Sequence, residues 1–495
     1  MSSKASSQSK LTRAEIRGIY AQGEEAVIIF VEGLLKQLSE HESELRILRT
    51  QVEALLNQQA KDSHNSSKPP SSNGFKQPRT KSLRQKSGRQ SGGQPGHLGS
   101  TLEWIEQPDF TEVHSVDKCQ ECGLFLIDTP VLKWELSQVH DLPALRLQVT
   151  EHRSEIKCCP HCQTLNRGAM PSDIASGVQY GSRLKGFMAY LSDYQLLPSE
   201  RTIELLSDVL GCNISEGTLY NSRHQCFEEL EPVELYIIGA LQTSPVAHFD
   251  ETGARVKGKL FWLHVASSDL LTYYFIHDKR GSEAMDEMGV LPQFKGTSVH
   301  DGFKSYAQYD CLHGLCNAHH LRELVFISER YEQPWAEQMI QLLLDIKTDV
   351  EESKQQGLDV LASERLHFFA ARYQDILTEG LRANPPVPSE TPKSRGRPKQ
   401  SPPKNLLDRL QKQQSAVLRF MYDFRVPFDN NQGERDLRMV KVKQKISGGF
   451  RSLVGGQIFC RTRGYISTLK KQKLNILDEL RKVFMGNPTI PVLAT

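Results

Sequence analysis

Apolar residues in the first part of the chain repeat at heptad spacing over residues 27–58. Two of the heptad positions are filled by Val31, Leu38, Leu45 and Val52, and by Leu34, His41, Leu48 and Leu55. All of them except His41 are apolar, and this spacing over about four heptads predicts a coiled coil. The alternative is one amphipathic helix that packs on its own domain. We assign residues 1–60 to this N-terminal helix or coiled coil.

The apolar pattern stops at residues 61–100, where Ser, Gly, Pro, Gln and Lys predominate. The segment holds eight Lys or Arg residues and one acid, Asp62. So few apolar side chains cannot build a core. We therefore predict a disordered basic linker.

Two Cys-x-x-Cys pairs define the next region, residues 101–168. Cys119 is paired in this way with Cys122, and Cys159 with Cys162. Four thiolates suit one tetrahedral Zn²⁺ ion, so the region predicts a zinc ribbon. The 36 residues between the pairs are more than such sites usually have. Reduced core cysteines or a redox pair are the alternatives.

Apolar and polar residues alternate between the two cysteine pairs, at residues 132–136 and 145–149. A period of two is typical of β-strands, so we predict a hairpin there. Cys158 and His161 adjoin the second pair and leave the choice of zinc ligands open.

Helical periodicity dominates residues 169–240. The stretch SRLKGFMAYLSDYQ predicts one helix, and PSE begins a second helix that runs to Val209. Gly211 ends this helix, and Ser215 caps a third. Two helices joined by a glycine-containing turn are typical of helix-turn-helix DNA-binding modules, although ordinary helical pairs have the same pattern.

Strand patterns return over residues 241–330. PVAHFD, GKLFWLHVASS and LTYYFIHDK predict three strands, SEAMDEMGV a short helix, and GTSVHDGF a fourth strand. HGLCNAHHLRELVFISE begins as a fifth strand and continues as a helix. This order matches the ribonuclease H topology, in which the first strand is central and the fourth lies beside it.

A helical insertion is predicted from residue 331 to residue 424. Apolar residues form one stripe over 335–346, and seven prolines mark a second linker at 384–404. A further helical pattern spans residues 404–421. The stretch RGRPK at 395–399 resembles a minor-groove hook, in which arginine enters an A·T-rich groove, but short basic runs are common in linkers.

Three acids stand where such a core would need them. Asp250 ends the first strand and Asp301 ends the fourth, and two carboxylates on adjacent strands repel each other unless cations lie between them. A third acid, Glu434, lies on a predicted helix within residues 425–485, the segment that would complete the core and also holds a basic stretch. Taken singly, Asp250 could be a turn residue and Glu434 a solvated helix acid.

Amides and cations surround Glu434 on its helix. Asn430, Glu434 and Arg438 are spaced to share one face, and Asn431 and Arg435 lie alongside. Further cations follow at Lys441, Lys443 and Lys445. The pattern predicts a metal-binding acid beside a phosphate-binding surface.

Charge is distributed unevenly along the 495 residues, whose net charge is only +2. The second basic block, residues 435–473, holds eleven Lys or Arg residues and one acid. Local basic blocks favour a polyanionic partner such as nucleic acid. A polar N-terminus, no long apolar run, and ten cysteines without a secretory signal favour a cytoplasmic protein. Residues 486–495 form a tail.

The ordered set of motifs resembles the insertion-sequence-66 family of bacterial transposases over nearly the whole chain. The motifs are SSKPPSSNG after the coiled coil, GGQPGH, the two Cys-x-x-Cys pairs, HFDETG, HDGF, LCNAHHLREL and DNNQGERDLR. The resemblance implies a DDE recombinase of multidomain α/β architecture. Its ribonuclease H-like core has a helical insertion and is preceded by the coiled coil, the zinc ribbon and the helical DNA-binding region.

The resemblance also implies site residues. Asp250, Asp301 and Glu434 would form the catalytic, Mg²⁺-binding triad. Cys316 and His319 would lie near the active site, although the family often has an aromatic residue after the cysteine and paired arginines after the histidine. Which histidine of the pair matters therefore stays open. The candidates for the surroundings of the site or for DNA phosphate are Cys316, His319, Arg322, Asn430, Asn431, Arg435, Arg438 and Lys441.

The implied reaction is DNA cleavage at the ends of the element, followed by strand transfer into target DNA. Two Mg²⁺ ions would serve the phosphoryl transfer, without a covalent protein–DNA intermediate. The implied partners are the terminal inverted repeats, the target DNA, a second copy of the chain paired through the coiled coil, and accessory proteins of the element. The setting would be the bacterial nucleoid. A DNA-binding regulator without catalysis and a metal-dependent nuclease of the same fold are the alternatives.

Overall fold

The structure is a computed structural model that describes residues 12–62, 64–66, 102–171, 173–174, 176–386 and 400–493. Most of the predicted basic linker at 61–100 and the whole RGRPK stretch at 395–399 lie outside these residues. The described chain forms two compact units. The first comprises the N-terminal residues up to 66, Pro245–Phe249 and Lys295–Asn431, and the second comprises residues 102–244, Asp250–Phe294 and the residues from Gln432 onward.

Helices predominate in the described ranges. They are α1 (Arg13–Tyr20), α2 (Glu24–Ala60), α3 (Ser182–Ala189), α4 (Ser199–Leu210), α5 (Glu216–Glu229), α6 (Glu231–Gln242), α7 (Ser282–Met288), α8 (Asn317–Tyr331), α9 (Pro334–Gln355), α10 (Ser363–Ala383), α11 (Pro402–Lys412), α12 (Gln414–Val417), α13 (Arg419–Tyr422), α14 (Asn431–Ser447), α15 (Leu453–Lys471) and α16 (Ile476–Val483). The strands are β1 (Ile156–Cys158), β2 (Leu165–Arg167), β3 (Val246–Val256), β4 (Lys259–Ser267), β5 (Thr272–His277), β6 (Thr297–His300) and β7 (Leu312–Leu315).

Five strands form a mixed sheet in the order β5–β4–β3–β6–β7. Strands β4 and β5 are antiparallel, β6 is parallel to β3, and β7 is parallel to β6. Lys257 and Gly258 connect β3 with β4, and both have the positive φ that a two-residue hairpin turn requires. The first strand is therefore central and the fourth lies beside it, as the sequence predicts.

The first unit packs helices around one apolar core. Trp335, Met339 and Leu343 of α9 are buried there with Tyr373 of α10. The apolar stripe of the insertion is thus the inner face of α9. Helix α9 begins with a proline. The first N–H of a helix has no intrahelical partner, so a proline, which lacks this N–H, favours a helix start at that position.

Helix α2 spans 37 residues and buries none of them. The predicted N-terminal helix is present. Its apolar heptad residues are exposed, and more than half of the surface of Leu38 and of Leu45 is accessible to solvent. Its C-terminal end contacts α8, where Asn57 Nδ2 donates to the Tyr331 hydroxyl at 2.9 Å. Pairing of two such helices stays a prediction.

Helix α15 packs against β5 in the second unit and was not predicted from the sequence. A Cβ atom added to Gly464 would lie 3.1 Å from the carbonyl oxygen of Thr272, so the absence of a side chain permits this close approach. Arg463, which is 4% exposed, donates to the carbonyl oxygens of Asp193 and Tyr194 at 3.2 Å. These two carbonyls belong to a π-helix at Tyr190–Tyr194, where a longer helix was predicted.

The strand prediction between the two cysteine pairs was wrong. Residues 132–136 and 145–149 have no strand partner, and most of their side chains are exposed. An alternating pattern needs a packed face to become a sheet, and this stretch lacks one.

None of the helices in the described residues combines the length and the hydropathy that a membrane span requires.

Candidate active site

Asp250 is the fifth residue of β3, so the prediction that it ends the first strand was wrong, whereas Asp301 directly follows the last residue of β6. The register of β3 with β6 pairs His248 with Val299. Each acid follows its partner of this pair by two residues. Strands β3 and β6 therefore run in parallel over the residues that precede the two acids.

Asp301 is half-buried in the turn that follows β6. Its Oδ1 accepts the backbone N–H of Phe303 at 2.8 Å, and Gly302 makes the turn with a φ of +86°. An aspartate that accepts the amide two residues ahead is a common turn device. The turn thereby orients one oxygen of the carboxylate.

Asp250 and its neighbour Glu251 have different surroundings. The Glu251 side chain is 1% exposed and pairs with Arg280 at 2.8 Å, and the Arg280 guanidinium lies 4.9 Å from the centre of the Trp262 ring. Asp250 is half-buried, and its Oδ1 accepts the backbone N–H of Glu251 at 2.8 Å. Glu251 is thus held by a cation of the protein.

Helix α14 lies along the part of β3 that follows Asp250. Helix and strand run in the same direction, since the segment after the helix pairs with the end of the strand. Lys441 Nζ and Gln444 Nε2 donate to the Gly253 carbonyl at 3.4 and 2.8 Å. Glu434 precedes Lys441 by two turns, about 10 Å of helix, and Asp250 precedes Gly253 by about 10 Å of strand. Within this unit the helix thus carries Glu434 toward the level of Asp250.

Lys441 is also electrostatically linked to Asp250. Burial lowers the pKa of the Lys441 ammonium, and the negative charge of Asp250 opposes that shift.

Asn430 joins three segments of the first unit. It is 1% exposed, its Oδ1 lies 2.8 Å from His248 Nδ1, and its Nδ2 donates to the Phe249 carbonyl at 2.9 Å. Its backbone N–H points to Cys316 Sγ at 3.2 Å. Asn430 was expected to share one helical face with Glu434 and Arg438, but it precedes α14 and its amide turns into the interior. Its side-chain amide is therefore bonded within the interior of the first unit.

Cys316 and the two histidines that follow it occupy the start of α8. Cys316 is buried, whereas His319 and Arg322 are half-buried. His320 is 4% exposed, and its Nδ1 lies 3.2 Å from Asn317 Oδ1. Burial lowers the pKa of His320 to about 3. Of the two histidines, His319 is therefore the one that reaches the surface.

The exposed face of α14 is basic. The predicted phosphate contacts Asn431, Arg435, Arg438 and Lys441 are exposed, as is Lys445. Arg435 Nη2 donates to Gln432 Oε1 at 2.8 Å, which holds the guanidinium along the helix. Lys443 is half-buried, and this burial lowers its pKa.

The two Cys-x-x-Cys pairs fold into the same backbone turn. In the first, the Cys119 amide donates to Leu124 O at 2.8 Å, and in the second the Cys159 amide donates to Thr164 O at 2.9 Å. The backbone N–H groups of Gly123 and Gln163 donate in turn to the carbonyls of Cys119 and Cys159, and both donor residues have a positive φ. Two matching turns that each present two thiols fit the donor set of a zinc ribbon.

The thiols of each turn interact with each other, but the two turns are not joined. Hydrogen bonds from the side chain and backbone of Thr164, and then from Cys159, lower the pKa of Cys162 to about 7. Among the four described cysteines Cys119, Cys122, Cys159 and Cys162, no three sulfur atoms lie within 4.8 Å of one another.

Three histidines beside the acids were not singled out from the sequence. His248 precedes Asp250 by two residues, and His300 directly precedes Asp301 and contacts His313 of β7. His248 and His300 are buried. Polar residues within strands that are otherwise apolar are the signal that points to them.

Comparison with known proteins places this chain among transposases. A family model described as Transposase IS66 family matches residues 177–458, an interval that contains Asp250, Asp301 and Glu434. A model for a family of unknown function (DUF6444) matches residues 5–103. The Drosophila P element transposase strand transfer complex is 11% identical with a TM-score of 0.28, over 61% of this chain and 94% of that one. No curated protein matches the chain. Because the first match covers more than half of the sequence, the chain belongs to the IS66 family of transposases.

Proposed function

We propose that this transposase cleaves DNA at the ends of its element and joins the freed ends to target DNA, using Asp250, Asp301 and Glu434 as metal-binding catalytic acids. The observation that carries the proposal is the parallel register of β3 with β6, which pairs His248 with Val299, the residues two positions before Asp250 and Asp301. Both acids are half-buried, Asp250 within β3 and Asp301 directly after β6. The strand order supports a ribonuclease H-like core.

The donor set fits Mg²⁺. All three side chains offer carboxylate oxygens, which are the ligands that Mg²⁺ prefers. Asp250 and Asp301 are both half-buried, so their oxygens can be reached from the surface. Two bound Mg²⁺ ions would activate a water or a DNA 3′-hydroxyl and stabilise the leaving oxygen. No nucleophile of the protein is needed.

The other residues would orient the DNA and the acids. Arg435, Arg438 and Lys441 follow Glu434 on the exposed side of α14 and would bind the phosphates that flank the scissile one. His319 and Arg322 at the start of α8 would contact the same backbone. Asn430 would fix β3 and the start of α14 in place through His248 and Phe249.

Recognition of the element ends is proposed for residues 101–168 and 169–240. The two matching cysteine turns would bind one Zn²⁺ ion once they approach each other. Helices α4 and α5 are joined through Gly211 in the left-handed conformation, and Ser215 caps α5. The exposed Tyr220 and Asn221 on α5 would then read base edges, as recognition helices do.

A reaction on two DNA ends needs two active sites, and we propose that α2 supplies the pairing. Its apolar heptad residues are exposed along the whole helix, which suits a second copy of the same helix. The protein would act in the bacterial nucleoid, with accessory proteins of the element where the reaction requires them.

The proposal is tested with the purified chain and DNA that carries the sequences flanking its coding region. Asp250→Asn, Asp301→Asn and Glu434→Gln should each abolish Mg²⁺-dependent cleavage and joining while the DNA is still bound. Asp278→Asn is the matched control, because Asp278 also follows a strand and is exposed. A protein that only binds DNA would behave alike in all four variants. A nuclease would cleave without joining.

A further inference from the structure

A chain of hydrogen bonds runs through the first unit beside Asp301. His300 is the last residue of β6 and directly precedes the acid. Its Nε2 lies 3.0 Å from Nδ1 of His313 on β7. Its Nδ1 lies 3.0 Å from the backbone nitrogen of Gly302, the residue on the other side of the acid.

The donors determine which ring nitrogens carry protons. A backbone N–H can only donate, so His300 Nδ1 accepts from Gly302 and its Nε2 carries the proton. That proton is donated to His313 Nδ1, which leaves His313 Nε2 to donate to the Tyr309 carbonyl at 3.3 Å. One consistent arrangement therefore links the amide of Gly302 to the carbonyl of Tyr309 through two neutral rings.

The same ring holds the loop that follows the acid. The His300 ring stacks on Tyr306 with centroids 4.4 Å apart and planes at 23°. Tyr306 is 2% exposed. The stacked rings therefore tie the loop that follows Asp301 to the end of β6.

We propose that His300 and His313 are positioning residues that fix the turn of Asp301, and thereby the direction in which its carboxylate meets a divalent cation. This inference rests on the proposed function of Asp301. Side chains that orient metal ligands typically change metal affinity by about 10–100-fold when they are removed. The contribution would therefore be seen first in the Mg²⁺ concentration that the reaction needs.

The test measures strand cleavage against Mg²⁺ concentration. His300→Phe keeps an aromatic ring on Tyr306 but removes both ring nitrogens. It should raise the half-saturating Mg²⁺ concentration at least about tenfold, with DNA binding unchanged. His300→Asn should recover much of this loss, because its Oδ1 can accept the N–H of Gly302. His264→Phe is the matched control, since His264 is 2% exposed on β4 in the other unit.

Several results would overturn the inference. The first is a half-saturating Mg²⁺ concentration that is the same in His300→Phe as in His264→Phe. The second is a half-saturating Mg²⁺ concentration in His300→Asn that is as high as in His300→Phe. His313→Leu removes the ring nitrogen that accepts the proton of His300 Nε2, at a half-buried position. It should also raise the half-saturating Mg²⁺ concentration. Should His300→Phe fail to fold, an unshifted His313→Leu would refute the inference. Cleavage that persists in Asp301→Asn would instead refute the proposed function.

Discussion

Asn430 Oδ1 and His248 Nδ1 lie 2.8 Å apart in the interior of the first unit. This bond connects the strand that leads to Asp250 with the residue that precedes α14, the helix of Glu434. The side-chain nitrogen of Asn430, Nδ2, donates to the Phe249 carbonyl. The side-chain oxygen, Oδ1, therefore accepts the hydrogen bond that His248 Nδ1 donates. The buried side-chain amide of Asn430 thus holds together the two segments that precede Asp250 and Glu434.

Removal of this amide should lower stability. Asn430→Ala leaves the donor of His248 and the carbonyl of Phe249 without their partner in a buried place. An unsatisfied buried group costs about 1–3 kcal/mol, so we expect the free energy of unfolding to fall by about 2–4 kcal/mol. Denaturant unfolding measures this. Asn431→Ala is the control, because Asn431 is exposed and should change stability by less than about 0.5 kcal/mol. Equal losses would contradict the role of Asn430.

The basic face of α14 should set the salt dependence of DNA binding. Arg438 is exposed on this face. Arg438→Ala should weaken binding to all sequences alike and reduce the slope of log affinity against log salt by about one. Binding titrations at several salt concentrations measure the slope. Arg372→Ala, at an exposed arginine of α10, should leave it unchanged. An effect confined to one DNA sequence would instead indicate base reading.

The sheet could be predicted from the sequence because its strands are apolar, short and separated by turns. Asp250 and Asp301 stood out because each follows an apolar run, and the predicted neighbourhood of their strands is observed. Glu434 was placed on the correct helix because its cations recur at helical spacing. These features are local, so local patterns reveal them.

Other features depend on packing that no local pattern encodes. Helix α15 is buried on most of its surface, yet it contains Thr462, Arg463 and Thr468, which blur the apolar periodicity. Its polar groups are satisfied by distant partners, such as the bond between Thr468 and the amide of Thr272 at 2.9 Å. Asn430 was assigned to the wrong face for the same reason, since its partner His248 lies 182 residues away in the sequence.

The cysteine turns should bind one Zn²⁺ ion per chain. Cys119→Ser and Cys162→Ser should each remove the metal, because a structural zinc site needs all four ligands. Elemental analysis of the purified protein measures the content. Cys158→Ser is the control, since Cys158 is exposed beside the second turn but belongs to β1. Loss of zinc in that variant, or two ions per chain, would contradict the ligand set.

Acid should destabilise the second unit through His264. Burial lowers the pKa of His264 to about 4, against 6.5 for an exposed histidine, and its bond to the Lys279 carbonyl opposes the shift only in part. Between these values the unfolded chain binds a proton that the folded chain does not. The free energy of unfolding therefore falls as the pH decreases through this window, by up to about 1.4 kcal/mol per pH unit.

His264→Gln should remove this dependence, since glutamine can still donate to the Lys279 carbonyl but does not titrate. Unfolding curves of both proteins between pH 4 and 8 measure it. The difference between them should be constant above about pH 7 and should change below about pH 6.5. A difference that stays constant over the whole range would show that folding does not shift the pKa of His264.

The exposed heptad residues of α2 should hold two chains together. Leu38 and Leu45 are 59% and 53% exposed at the same heptad position, so in a pair of helices they would be buried against the partner. Leu45→Lys puts a charge into that seam and should convert a dimer to a monomer in sedimentation analysis. Ser39→Lys adds the same charge on the outer side of the helix and should leave the dimer intact. If both variants stay dimeric, the chains associate through another surface, and α2 has some other partner. If the wild type is monomeric at micromolar concentration, pairing must come from the DNA ends, and joining should then show no dependence on Leu45.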